Sequence, residues 1–187
     1  LAAGTIALVS QRFRAGADEA LGQAVRSSVL LVVAISLPIA ALYWFVPTAL
    51  VDLLSNDTET VRLGAAYLQV LAIGVPFAAV NLVGSRTLVG ADDAWTPMVV
   101  RAGGAVANVG LNAVLIFGLG MGVVGAASGT VLANVAVTTV FAVGLARGRI
   151  PLVGDLPISV RLRGRYVDPA TMRDLVSIGL PVIGRRT

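Results

Sequence analysis

The stretch RAGGAVANVGLNAVLIFG, Arg101 to Gly118, places two carboxamides, Asn108 and Asn112, in a run otherwise suited only to lipid. Four residues apart on a helix, they point the same way. A carboxamide left unpaired in hydrocarbon costs several kcal/mol, so this face must meet other protein or trapped water rather than acyl chains. Two readings follow. The amides either form part of a polar site, or they hydrogen-bond across a helix interface, a contact worth roughly 0.6 to 2 kcal/mol in membranes.

The surroundings of that stretch set the fold class. It lies within a charge-free run from Ala102 to Ala146, and two further runs, Ser27 to Val51 and Leu63 to Ser85, also lack charge. A span needs about 20 apolar residues, so the three runs hold two, one and one helices. Of the 187 residues 57% are hydrophobic and 13% charged, against about 25% charged in soluble domains. An oily soluble bundle would show a polar face on each helix, and no such faces are present. The expected fold is all-α: a polytopic membrane helix bundle of about four complete transmembrane helices plus two partial ones.

Composition also removes whole classes of chemistry. All fourteen basic residues are Arg, and His and Cys are absent, which excludes thiolate nucleophiles, imidazole bases and zinc-type clusters. The ten acidic residues lie at helix ends or in connections, so no titratable group is buried to serve an enzyme. The arginines occupy the same places and report topology rather than nucleic-acid binding.

Along the chain, Leu1 to about Ser10 is read as the second half of a membrane helix. Gln11 to Ser28 follows as a polar connection, and a second helix runs from about Ser27 to Val46 with a kink expected at Pro38. Beyond the connection Pro47 to Arg62, a helix from about Leu63 to Arg86 carries Tyr67, Gly74 and Asn81 on one stripe, with a second hinge at Pro76. Thr96 is the expected N-cap and Pro97 the first-turn residue of the next helix, Met98 to Gly118. A last full helix, about Val124 to Ala146, has Gly125 and Gly129 in GxxxG spacing and a stripe of Thr130, Asn134 and Thr138. For Thr138 the favoured reading is back-bonding to its own helix carbonyl.

Residues 147–174 change character, with six arginines among prolines and aspartates, and are read as a basic linker on the membrane surface. Asp168 and Pro169 mark the start of a helix entering the membrane at about Leu175. Ile158, Val160 and Leu162 alternate with polar residues, as in a short strand or a surface-lying segment. The first, third and fifth connections hold three, two and six arginines, against one and none in the second and fourth. The odd connections are therefore expected to be cytoplasmic. The chain is expected to be an excerpt, with residues 1–146 one partial bundle, 147–174 a linker, and 175–187 the start of a second lobe's first helix.

Polar stripes on three consecutive helices, Tyr67 with Asn81, Asn108 with Asn112, and Thr130 with Asn134, are expected to line one cavity. Carbonyls freed at Pro38 and Pro76 add the oxygen ligands that a hard cation such as sodium accepts. Five segments, ALVSQRF from Ala7, AYLQV from Ala66 with GVPF from Gly74, RTLVGADDAWTPM from Arg86, NVGLNAVLIFG from Asn108 and GAASGT from Gly125, together resemble the MATE (multidrug and toxic compound extrusion) transporters, in particular the DinF-like and archaeal branch. The resemblance follows the family's order from the end of its second helix to the start of its seventh.

It implies half of a two-lobed antiporter of the cell membrane, surrounded by lipid, that expels hydrophobic or cationic small molecules against a sodium or proton gradient. It further implies a cation and proton site at Tyr67, Asn108, Asn112 and Thr130, completed by an acid on the family's first helix. Asn112 stands where that branch commonly has Asp, and a carboxamide cannot titrate, although its carbonyl can still ligate. The alternative function is a flippase of lipid-linked saccharides on the same fold, which calls for a more cationic cavity.

Overall fold

A computed structural model describes residues 2–160, 164 and 166–179. In chain order the elements are α1 (Ala2–Arg14), α2 (Asp18–Phe45), α3 (Pro47–Asp52), α4 (Thr58–Gly90), α5 (Trp95–Asn112), a π-helical segment (Ala113–Gly118), α6 (Gly122–Arg147), β1 (Arg149–Ile150), β2 (Gly154–Asp155) and α7 (Pro169–Gly179). Four helical stretches, Asp18–Phe45, Thr58–Gly90, Trp95–Gly118 and Gly122–Arg147, are long and apolar enough to cross a membrane. The helix count matches the expected fold, and several boundaries do not.

The largest difference is at Gln11 to Ser28, which is almost wholly helical. Leu21, Ala24 and Val25 are buried at helical spacing, while Asp18 and Glu19 in the first turn of α2 and Arg12 and Arg14 in the last turn of α1 suit the helix dipoles. The connection shrinks to one turn around Gly16, at φ +64°. The Gly16 amide donates to Phe13 O and the Ala17 amide to Arg12 O, the pattern that closes a helix on a left-handed residue.

Helix starts follow local carboxylates. The Asp57 carboxylate accepts the Thr60 amide at 2.8 Å at the head of α4. At the head of α5, Asp93 accepts the Thr96 amide at 2.9 Å, so Thr96 is a buried first-turn residue and not the cap. Asp168 accepts the Thr171 amide at 3.2 Å, with Pro169 first in α7, as expected. The connection after α2 contains the short helix α3, opened by Pro47.

The described chain divides into two compact units: Leu1–Val33, Ala79–Val100 and Thr138–Thr187 form one, and Ala34–Ala78 with Arg101–Val137 the other. In the first unit, Leu8, Ala24 and Leu175 share a small core with Leu31 against it. Gly4 lets α7 come close, since a Cβ there would stand 2.7 Å from Leu175 O. Arg12 donates to Ala20 O at 2.6 Å and to Thr171 Oγ1 at 3.1 Å, joining α1, the start of α2 and α7. Ser27 donates to Tyr166 O. After a two-residue hairpin pairing Arg149 with Asp155 and Ile150 with Gly154, Ile158 and Val160 are buried without forming a strand, and the Val160 amide donates to Leu145 O. Leu162, Ile183 and residues 180–187 of the expected last helix lie outside the described residues.

Also in the first unit, α4 and α6 run side by side in the same direction. Thr138 Oγ1 donates to Asn81 Oδ1 at 2.7 Å, and three residues on, a Cβ at Gly84 would meet Phe141 at 2.9 Å. Thr138 thus reaches across to α4, a contact beyond the back-bond to its own helix that the sequence suggests. A buried amide oxygen on α4 lies within its reach, and a bond there satisfies Asn81 as well.

In the second unit a Cβ at Gly74 would stand 3.0 Å from the Val131 side chain and one at Gly64 2.9 Å from Val51, and Gly104 abuts Val137. Much of α5 is exposed, including Val106, Val109 and the following Phe117, a surface suited to apolar surroundings. Both α2 and α4 continue through Pro38 and Pro76.

Thr138→Val should remove one hydrogen bond from buried Asn81 at a cost of about 1 kcal/mol. The thermal midpoint in detergent should fall by about 2–4 °C, and an unchanged midpoint would contradict the contact. At α7, hydrogen bonds from the Thr171 side chain and then its backbone hold the Asp168 carboxyl below its ordinary value of 3.8. A lowered folded value means that the cap contributes fully above 3.8 and is lost as pH falls through the folded value. Amide exchange at Thr171, corrected for intrinsic pH dependence, should show protection that fails only in acid and is absent at every pH in Asp168→Ala.

Candidate functional site

The candidate residues separate by unit. Tyr67, Asn108, Asn112, Thr130, Asn134, Pro38 and Pro76 belong to the second unit, and Asn81 to the first. Asn81 Oδ1 accepts from Thr138 Oγ1 in the first unit.

Within the second unit, α5 and α6 face each other in opposite directions, and the amides of the opening stretch meet the threonine stripe. Asn112 Nδ2 donates to Asn108 Oδ1 at 2.8 Å. Asn108 Nδ2 in turn donates to Thr130 Oγ1 at 3.2 Å, and Thr130 Oγ1 donates to Ala126 O at 3.0 Å. Each side chain donates once to the next acceptor, and the chain ends on a main-chain carbonyl. At its head, Asn112 Oδ1 is buried and has no hydrogen-bond partner among the described residues. A buried acceptor left unmade costs about 1–3 kcal/mol. The interface reading holds for one member of the pair. Asn108 makes the helix-to-helix contact, and Asn112 holds an oxygen in reserve.

Two features of this site escaped the sequence reading. The first is the π segment, which begins directly after Asn112; the Leu119 amide donates to Val114 O, five residues back. Such insertions interrupt the ordinary helical ladder and frequently mark functional sites, yet AVLIFG contains no residue that announces one. The second is the partner of the two α6 glycines. A Cβ at Gly129 would clash with Asn112 Oδ1, and one at Gly125 would stand 3.0 Å from the Leu115 carbonyl carbon and oxygen. The GxxxG spacing was legible, but the face it meets was not.

The remaining candidates are placed less tightly. Tyr67 is half-buried on the stripe of α4 that reaches Val131 at Gly74. Asn134 is half-buried one turn beyond Thr130, Pro76 is half-buried and Pro38 is exposed. No group of three or more His, Cys, Asp or Glu stands ready for a metal among the described residues. What the cluster offers is neutral oxygen: a carboxamide, a hydroxyl and main-chain carbonyls, the donor set of a hard monovalent cation rather than of a soft metal.

Comparison with known proteins agrees with this architecture. The chain is 29% identical over 184 residues to the multidrug resistance protein PmpM of Pseudomonas aeruginosa, covering 95% of this chain and 37% of that protein. It superimposes on the inward-facing structure of a multidrug resistance MATE family transporter of the MOP superfamily with a TM-score of 0.82 at 27% identity, over 96% of this chain and 40% of that one. An outward-facing structure described in the same terms gives 0.81 at 27% identity, over 96% and 39%. The chain thus spans about two fifths of the length of these relatives. With its membrane-length helices in the family's arrangement and the MatE family model matching residues 1–114, this chain belongs to the MatE family of multi-pass membrane transporters.

Proposed function

We propose that the chain forms one lobe's worth of a secondary active antiporter that exports hydrophobic or cationic small molecules across the cell membrane by alternating access, with the amide and threonine cluster as part of its coupling-cation site. The observation that carries this reading is the unpartnered, buried Asn112 Oδ1 at the head of a chain of side-chain hydrogen bonds that runs from Asn112 through Asn108 to Thr130. An oxygen so placed gains most from a ligand that brings positive charge. None of Asn108, Asn112 and Thr130 titrates, so sodium suits these three groups better than a proton does. A charged partner for the ion, and with it any proton coupling, falls to an acid on the family's first helix. Tyr67 and Asn134 are assigned to the wall of the same site, and Pro38 and Pro76 to bending points.

The near-equal fit to inward- and outward-facing relatives supports a lobe that changes little while access alternates, with the movement taken up between lobes. In this scheme residues 1–146 belong to the first lobe, 147–174 are a cytoplasmic linker and 175–187 begin the second. The multidrug names of the relatives weigh against lipid-linked saccharides as cargo.

The test uses the protein as the cell makes it, reconstituted in lipid vesicles with an imposed sodium or pH gradient and a fluorescent lipophilic cation as cargo. Gradient-driven transport is expected, and Asn108→Leu with Asn112→Leu should slow it at least about tenfold by removing about 1.4 kcal/mol or more of ion binding. Unaltered transport in the double variant would remove the cluster from the mechanism.

A further inference from the structure

We propose that Gly129 is a positioning residue for the cation site, acting through Asn112; the assignment rests on the reading of that cluster given above. The Asn112 carboxamide has a nitrogen fixed by Asn108 Oδ1 at 2.8 Å, so the direction of its oxygen is set by what α6 leaves open. A Cβ at Gly129 would clash with Oδ1 and stand 3.1 Å from Cγ and 3.3 Å from the Asn112 backbone nitrogen. Only the absence of a side chain at this position lets the oxygen occupy its place, against the turn of α6 that also carries Thr130. Asn112 is the last residue of α5 before the helix widens into its π segment, so no regular i→i+4 register beyond it fixes the side chain.

The two α6 glycines divide the task. At Gly129 the worst obstruction is the end of a side chain, which can swing aside, and the Asn112 backbone nitrogen at 3.3 Å asks for a shift of only a few tenths of an ångström. At Gly125 the obstruction is the Leu115 carbonyl, at 3.0 Å from a Cβ, so an added methyl must displace main chain. Alanine at 129 should therefore alter the site and spare the fold, whereas alanine at 125 should weaken the fold.

The experiment is a double-mutant cycle on the purified protein as the cell makes it, with sodium alone as the probe, replaced by choline at constant ionic strength. The readout is the sodium concentration that gives half-maximal thermal stabilisation. Gly129→Ala should raise it about tenfold with the sodium-free midpoint unchanged, and Asn112→Ala should raise it similarly. Adding Gly129→Ala to Asn112→Ala should change nothing further, while Gly125→Ala should lower the sodium-free midpoint.

If Asn112→Ala raises the sodium requirement and Gly129→Ala does not, or if Gly129→Ala has the same effect in both backgrounds, Gly129 is not a positioning residue and the site reading stands. If sodium does not stabilise the unsubstituted protein, or Asn112→Ala leaves the requirement unaltered, the site reading falls and takes the assignment with it. Should Gly129→Ala fail to fold, the Gly129→Ala, Asn112→Ala double variant decides. It recovers the Asn112→Ala behaviour if the carboxamide is the obstruction, and fails to fold if the obstruction lies elsewhere.

Discussion

Hydrocarbon offers no hydrogen bonds, and that constraint shapes every polar contact within these helices. Each amide or hydroxyl in a span must find a partner on its own or a neighbouring helix. Asn81 does so through Thr138, and Asn108 through Thr130. Thr130 hands its own proton back to Ala126 O. Against that background the unpaired oxygen of Asn112 stands out, because the groups around it follow the rule that it breaks.

Small residues make these contacts reachable. Gly84 seats Phe141 of α6 near the Asn81 and Thr138 bond, and Gly125 and Gly129 admit Leu115 and Asn112 to the face of α6. Since lipid tails are as apolar as the side chains they would replace, packing and hydrogen bonds rather than the hydrophobic effect hold such helices together. The glycines and the polar stripes are therefore parts of one arrangement. A glycine brings two backbones close enough for a short side chain to bridge them.

Much of the fold was legible in residue order. Charge-free runs located the four long helices, because no other feature excludes charge over that length. The Asn108 and Asn112 spacing indicated a shared face, and Thr130 on the next helix supplied the contact. Where boundaries were misplaced, short-range chemistry had been undervalued: Leu21, Ala24 and Val25 extend α2 through a stretch that looks polar, and Asp93 takes the capping position from Thr96. The partner of Thr138 and the π segment could not be read at all. One depends on which helix lies 57 residues away in sequence, and the other on a backbone choice that AVLIFG does not encode in any single side chain. Asn81 shares a stripe with Tyr67 by arithmetic, but that its amide oxygen accepts from Thr138 was not readable from spacing.

The reversal between the π segment and α6 bears on how the chain reaches its place in the bilayer. Residues 119–121 make that turn with glycines at positive φ, Gly120 and Gly122, and no charged side chain lies between Arg101 and Arg147. Whichever leaflet this hairpin enters from, no ion has to be dragged across the hydrocarbon for its tip to emerge on the far side. The reversal between α2 and α4, by contrast, carries Asp52, Asp57, Glu59 and Arg62. The charge-free hairpin of α5 and α6 thus has a lower electrostatic cost of crossing hydrocarbon than one that carries those four groups.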